Sequence, residues 1–176
     1  MHRYTWDEYF MTMAYLVSMK SKDPSTRVGA VIVNVDNQIM STGYNGFPRG
    51  IEDLEERYTN KEYKYLAINH AEENAILQCA RNGISSLDCR LYVPWIPCSR
   101  CAKSIIQSGI NEVIYDANFP GNKQENQSDE WRQSVVISQE ILMEAKVNVR
   151  IFNGNIIDIK GLYSGNIFDF IGKDFD

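Results

Sequence analysis

The sequence predicts an α/β fold of three layers, α/β/α, with helices on both faces of a central mixed five-stranded sheet. Two observations carry this expectation. Segments with helical spacing of apolar residues take turns with short β-rich runs, and alternation of that kind builds a sheet sandwiched between helices. The 176 residues, 44% of them hydrophobic, are also enough to bury one core. A single domain over 1–176 is expected, with its core at about 5–152 and a C-terminal extension at 153–176.

Each element has a local reason. Thr5 followed by Glu8 forms a capping box, and Phe10, Met13, Ala14 and Val17 share one face of a helix ending near Lys20. Residues 29–35 and 38–42 are β-rich and separated by Asp36-Asn37, which predicts a hairpin. An acidic, Tyr-rich insert follows, in which Glu52-Asp53-Leu54-Glu55-Glu56 reads as solvated surface. Good helix formers over 71–82 stop at Gly83, and a second helical run over 98–108 starts after Pro97 and stops at Gly109. Strands are expected at 91–93 and 112–115, a polar loop at 117–130, a helix at 131–145 and a fifth strand at 147–152. Asn153-Gly154 could turn that strand into a hairpin with 156–159, and the tail from Gly161 is apolar enough to dock.

The stretch that carries chemistry reads His70-Ala71-Glu72, then Pro97-Cys98-Ser99-Arg100-Cys101. One His and two Cys with no fourth protein ligand are the donor set of a catalytic zinc site, because the open tetrahedral position is left for water. Cys98 and Cys101, three apart on a helix, share a face and can grip one ion. His70 reaches the same ion from a neighbouring helix start, while Glu72, two residues on, points elsewhere. The partial positive charge of a helix start favours thiolates there. Taken separately, a Cys-x-x-Cys could be a redox pair and a His-x-Glu could be chance. Together they form the signature of zinc nucleobase deaminases.

The reaction follows from the residue types. Zinc lowers the pKa of bound water from 15.7 to about 7, which makes a nucleophile available at neutral pH. If the target is C4 of cytosine, ring nitrogen N3 must gain a proton and the exocyclic amine must leave as ammonia. An unligated Glu72 can move both protons as general base and general acid.

Charge narrows the substrate. With 18 Lys plus Arg against 23 Asp plus Glu, the net charge of -5 is a poor footprint for tracking a nucleic-acid backbone. A small nucleotide fits better, and no nucleic-acid polymer is expected as partner. With no run of 18 apolar residues and no charged-then-apolar leader, neither membrane span nor signal peptide is expected. A reducing cytoplasm is the expected compartment, or the host cytoplasm for a phage-encoded chain. Cys79 and Cys89 read as buried thiols, and no disulfide is expected.

The resemblance extends beyond the metal motif. Trp6-Asp7-Glu8-Tyr9-Phe10-Met11, Ser21-Lys22-Asp23-Pro24, Val28-Gly29-Ala30, Gly43-Tyr44-Asn45-Gly46-Phe47-Pro48, His70-Ala71-Glu72-Glu73-Asn74-Ala75-Ile76 and Ile105-Ile106-Gln107-Ser108-Gly109-Ile110 follow one another in the pattern of the deoxycytidylate (dCMP) deaminases. The chain thus resembles that branch of the cytidine deaminase superfamily, and the eukaryotic and tailed-phage enzymes in particular, over about residues 6–115. This resemblance implies a cytidine-deaminase-like fold with the last two strands of its sheet parallel. It implies a hydrolase of the C–N bond of a cyclic amidine, converting dCMP to dUMP for thymidylate synthesis. It further implies a homo-hexamer activated by dCTP and inhibited by dTTP, with Mg2+ accompanying the triphosphate and one catalytic Zn2+ per chain. A second, structural zinc found in some relatives is not expected, since only His2, Cys79 and Cys89 remain as donors.

Substrate contacts come from the same resemblance. It implies Asn45 at the sugar and base, the Ala71 backbone N–H at the pyrimidine O2, and Phe119 stacked on the base. Asn45 could equally shape an Asn-Gly turn, and Phe119 could equally be core. Ser21, Lys22 and Arg27 offer a hydroxyl and cations to the phosphate. The resemblance assigns Gly46, Phe47, Arg49 and Gly50 to the regulatory nucleotide, and Arg49 suits either phosphate or plain surface. Two other classes stay open: a deaminase of bases within RNA or single-stranded DNA, and a non-catalytic zinc module that senses nucleotides.

Overall fold

The computed structural model describes residues 3–123, 125, 127–158, 160–163 and 166–169. The chain opens with α1 (Trp6–Ser18), started by the expected capping box: the Thr5 hydroxyl accepts from the Glu8 N–H at 3.2 Å, and the Glu8 carboxylate accepts from the Thr5 N–H at 2.9 Å. The hairpin follows as β1 (Gly29–Val33) and β2 (Ile39–Tyr44), antiparallel, with Asn37 in the left-handed region of the turn at φ 62°. Then come α4 (Ala71–Asn82), β3 (Arg90–Val93), α5 (Ser99–Gln107), β4 (Glu112–Tyr115), α6 (Asp129–Glu144) and β5 (Asn148–Ile151), preceded by two short helices in the insert, α2 (Glu55–Thr59) and α3 (Lys61–Ala67). Gly83 ends α4 at φ 67°, a conformation that glycine reaches without a Cβ penalty.

The sheet runs β2-β1-β3-β4-β5, with β1 antiparallel to both neighbours and β3, β4 and β5 mutually parallel. It is the expected mixed five-stranded sheet, with its last two strands parallel. Alternation along each strand divides the core in two. Val31, Val33, Tyr92 and Ile114 pack with Phe10, Met11 and Ala14 of α1. Ile32, Leu91, Val93 and Val113 point the other way, onto Ala71 and Ala75 of α4, Ala102 and Ile105 of α5 and Leu142 of α6. Three layers result, and the helices that carry His70 and the Cys pair share one face.

Close approach holds α4 against β2. A Cβ on Gly43 would stand 2.3 Å from both the Ala71 carbonyl oxygen and the Ala75 nitrogen, which are backbone atoms no rotamer can move. Gly43→Ala is therefore expected to cost about 3 kcal/mol or more of stability, read as a lower midpoint in urea unfolding at unchanged slope. A midpoint equal to the parent's would mean that α4 does not sit this close.

Two regions depart from the expected course. The acidic insert folds because its residues find partners. The Asn60 side chain accepts from the Tyr63 N–H at 3.1 Å to start α3, the Tyr58 hydroxyl donates to Asp53 at 2.7 Å, and Tyr58 lies 4.8 Å from the Phe47 ring. After β5, no strand forms over residues 155–158. The Asn155 N–H donates to Glu8 at 3.1 Å and the Ile157 N–H to the Thr12 hydroxyl at 2.8 Å, so α1 takes the backbone donors that a hairpin would use. Ile159 lies outside the described residues. The hairpin occurs further on, between β6 (Lys160–Tyr163) and β7 (Asn166–Asp169), while 170–176 of the tail lie outside the described residues. No described helix is long and apolar enough to cross a membrane.

Candidate active site

His70 is the N-cap of α4 (φ -74°, ψ 162°) and Cys98 the N-cap of α5 (φ -75°, ψ 170°), and neither side chain caps its own helix. Both turn inward instead. His70 Nδ1 lies 3.5 Å from Cys98 Sγ and 3.4 Å from Cys101 Sγ. A tetrahedral zinc with ordinary Zn–N and Zn–S lengths holds its nitrogen and sulfur about 3.6 Å apart, so the three donors stand where one ion can take all of them. Among the described residues they are the one group of three or more metal donors of this kind; His2 lies outside those residues. A hydrogen bond from Cys101, and then the His70 ring, draw the Cys98 thiol down to about 4 against the opposing effect of burial. The same hydrogen bond, with burial, pushes the Cys101 thiol up.

Neighbouring helices lock the frame. Arg100 of α5 pairs with Glu73 of α4 at 2.7 Å, and the Ser99 N–H donates to the Ser134 hydroxyl of α6 at 3.0 Å. Cys79 and Cys89 are buried in the core away from these donors, and burial raises both thiols.

Glu72 stands beside the donor set but outside it. The residue is 5% exposed, and burial pushes its pKa up to about 7, against the lowering influence of His70. A carboxyl tuned near neutrality can both accept and return a proton. It opens into a cavity of about 660 Å³ that Ala71, His70 and Asn45 also line, a volume suited to a small ligand. Ala71 is the first residue of α4, where backbone N–H groups have no partner within the helix.

Asn45 combines its two readings. It lines the cavity, yet its oxygen accepts from the Val28 N–H at 2.8 Å and its amide donates to the Thr26 carbonyl at 2.9 Å and to Asp23 at 3.3 Å. Ser21, Lys22, Arg27 and Phe119 are not part of the lining. The Ser21 hydroxyl donates to the Asn45 carbonyl at 2.8 Å, Lys22 pairs with Asp53 at 2.8 Å, and Arg27 Nε donates to the Asp23 carbonyl at 3.2 Å. Phe119 packs behind Trp95, 5.6 Å between centroids. Gly46, Phe47 and Arg49 line a separate cleft of about 330 Å³ together with Arg81, and Gly50, at φ 84°, is outside its lining.

Among the cavity side chains that sequence reasoning missed, three are prominent. Trp95 and Trp131 pack with ring centroids 4.4 Å apart and planes tilted by 40°, and Lys64 of α3 lines the same cavity. Trp95, three residues before Cys98, could have been found from its place in Pro94-Trp95-Ile96-Pro97. Trp131 and Lys64 arrive only through packing, and nothing local marks them.

Known proteins agree with this geometry. The model of the cytidine and deoxycytidylate deaminase zinc-binding region matches residues 4–117. The deoxycytidylate deaminase of Mus musculus is 50% identical over 115 residues, 62% of this chain and 64% of that protein, so the match spans less than two thirds of the relative's length. An uncharacterized deaminase of Aliivibrio fischeri is 40% identical over 144 residues, covering 82% of this chain and 91% of that one. The crystal structure of a dCMP deaminase from the cyanophage S-TIM5, in complex with dCMP and dUMP, is similar with a TM-score of 0.65 and 27% identity, over 86% of this chain and all of that one (100%). The motif order, the mixed sheet and the His-Cys-Cys cluster beside a buried glutamate agree with these matches, and the chain belongs to the cytidine and deoxycytidylate deaminase family.

Proposed function

We propose that this chain catalyses the hydrolytic deamination of dCMP to dUMP and ammonia, a reaction that would supply thymidylate synthesis. The observation that carries the reading is Glu72, a buried carboxyl that lines the cavity beside His70 and is not one of the three gathered metal donors. Zinc bound by His70, Cys98 and Cys101 would supply an acidified water as nucleophile. Glu72 would accept a proton from the attacking water and deliver it to N3 as the oxygen bonds to C4. It would then take the proton of the new C4 hydroxyl and pass it to the exocyclic nitrogen, so that the C4–N bond breaks, the C4 carbonyl forms and ammonia leaves. Ala71 N–H, at the positive end of α4, binds the pyrimidine O2, and Asn45, fixed by Asp23 and Thr26, orients the nucleoside. The Trp95–Trp131 pair closes one wall of the cavity against water.

The test is a substrate panel. Zinc-loaded protein should convert dCMP to dUMP with one ammonia per turnover, and should act far more slowly on cytidine, deoxycytidine, dCTP and a deoxyoligonucleotide. Unchanged dCMP in the presence of dCTP and Mg2+ would end the proposal.

Regulation is part of the same reading: dCTP with Mg2+ activates, dTTP inhibits, and the protein works as a homo-hexamer. Its support is the second cleft, where Arg49 and Arg81 put two guanidinium groups beside Gly46 and Phe47, a setting suited to phosphate oxygens. Arg49→Ala is expected to weaken half-maximal activation by dCTP about tenfold or more while leaving the effector-free rate within twofold. Light scattering on the same samples reads the assembly. An unaltered dCTP response would remove Arg49 from the effector site.

A further inference from the structure

We propose that Lys64, together with the Ser25 and Thr26 hydroxyls, recognises the 5′-phosphate of the nucleotide. The proposal rests on the deaminase reading of the main cavity. Among the described residues, Lys64 is the only lysine or arginine that lines that cavity. The cations that the sequence offered are engaged elsewhere: Lys22 with Asp53, and Arg49 with Gln78 at the second cleft. A phosphomonoester carries nearly two negative charges at neutral pH, and a cavity that takes one needs a fixed cation and hydroxyl or amide donors around it.

Lys64 is built into the fold for such a role. It lies on α3, 8% exposed, an uncommon state for a lysine. Its ammonium pairs with Asp23 at 2.7 Å and 2.9 Å to the two carboxylate oxygens. Asp23 does not simply cancel that charge. Its oxygens also accept from the Ser25 N–H at 2.8 Å, the Thr26 N–H at 3.2 Å and the Asn45 amide at 3.3 Å. The carboxylate is therefore shared among several donors and acts as a clamp that holds the ammonium in place. The same bonds hold the turn that presents Ser25 and Thr26 to the cavity. An ammonium ordered before ligand arrives loses little entropy when it binds. One carboxylate thus fixes the cation, the two hydroxyl residues and Asn45, which ties the phosphate end of the cavity to its nucleoside end.

The experiment measures binding of dUMP and of deoxyuridine by calorimetry, so that it does not depend on turnover, while dCMP deamination by the parent protein is followed separately. The parent should prefer dUMP by about 30-fold or more. Lys64→Met should abolish that preference by weakening dUMP alone. Because this change leaves Asp23 as a buried unpaired charge, the double variant Asp23→Asn with Lys64→Met is measured beside it and should lose the preference equally. Lys64→Arg should retain part of it. A purely structural lysine would weaken both ligands together and leave their ratio unchanged. A preserved ratio in the folded double variant, or equal binding of both ligands by the parent, would overturn the proposal. A parent that prefers dUMP yet leaves dCMP unchanged would sink the deaminase reading and leave Lys64 as the phosphate group.

Discussion

Glu72→Gln is expected to lower kcat for dCMP by about 10²–10⁴-fold with little change in zinc content. Glutamine has nearly the shape of glutamate and keeps the packing of a side chain that is 5% exposed on the first turn of α4. What it loses is the ability to carry a proton. In the proposed reaction both proton transfers pass through this one group, to N3 and to the departing amine, so no second residue would substitute for half of the work. Zinc content should stay near one per chain, because Glu72 is not among the three donors gathered at the site. Metal analysis and steady-state kinetics on one preparation check both halves. A rate within threefold of the parent would remove Glu72 from the chemistry, and a lost metal would turn it into a ligand.

Cys101→Ser should be nearly as damaging, by a different route. Cys101 is fully buried (0%) in the first turn of α5, 3.4 Å from His70 Nδ1. A serine hydroxyl is a far poorer zinc donor than a thiolate, so bound zinc should fall from about one per chain toward zero, and deamination with it. Stability should fall too. A metal that binds the folded chain at about 1,000 times its dissociation constant contributes about 4 kcal/mol, which for a domain of this size corresponds to roughly 8–16 °C of thermal midpoint. Chelation of the parent should produce the same drop, and zinc should restore the parent but not the variant. A variant that keeps both its zinc and its midpoint would refute the ligand assignment.

How much of this could be read from the chain differs by element. The helix carrying His70 and Glu72 was legible because its formers end at a glycine that can adopt φ 67°. The α1 capping box and the β1–β2 hairpin were legible for the same reason: their signals lie within a few residues. The hairpin expected at 153–159 failed because Glu8 and Thr12, about 145 residues earlier, accept the N–H groups it required. Glu52 to Glu56 of the insert are exposed, as read, but nothing along the chain marks Lys64 further on as the partner of Asp23, 41 residues away. Of the phosphate candidates Ser21, Lys22 and Arg27, none lines the main cavity, whereas Ser25 and Thr26 of the same turn do.

By itself the sequence determined the candidate reactive set, because metal ligation and proton transfer depend on residue type and on spacing that one helix turn or one cap imposes. His70, Glu72, Cys98 and Cys101 needed no coordinates to be named. Tertiary structure decided what surrounds them: that α4 and α5 meet with their caps 3.5 Å apart, that Trp95 meets Trp131, and that Lys64 is clamped by Asp23 in the same cavity. Those contacts join distant segments through burial and charge pairing. Such forces leave no periodic trace along the chain, so they become visible only when the layers are packed.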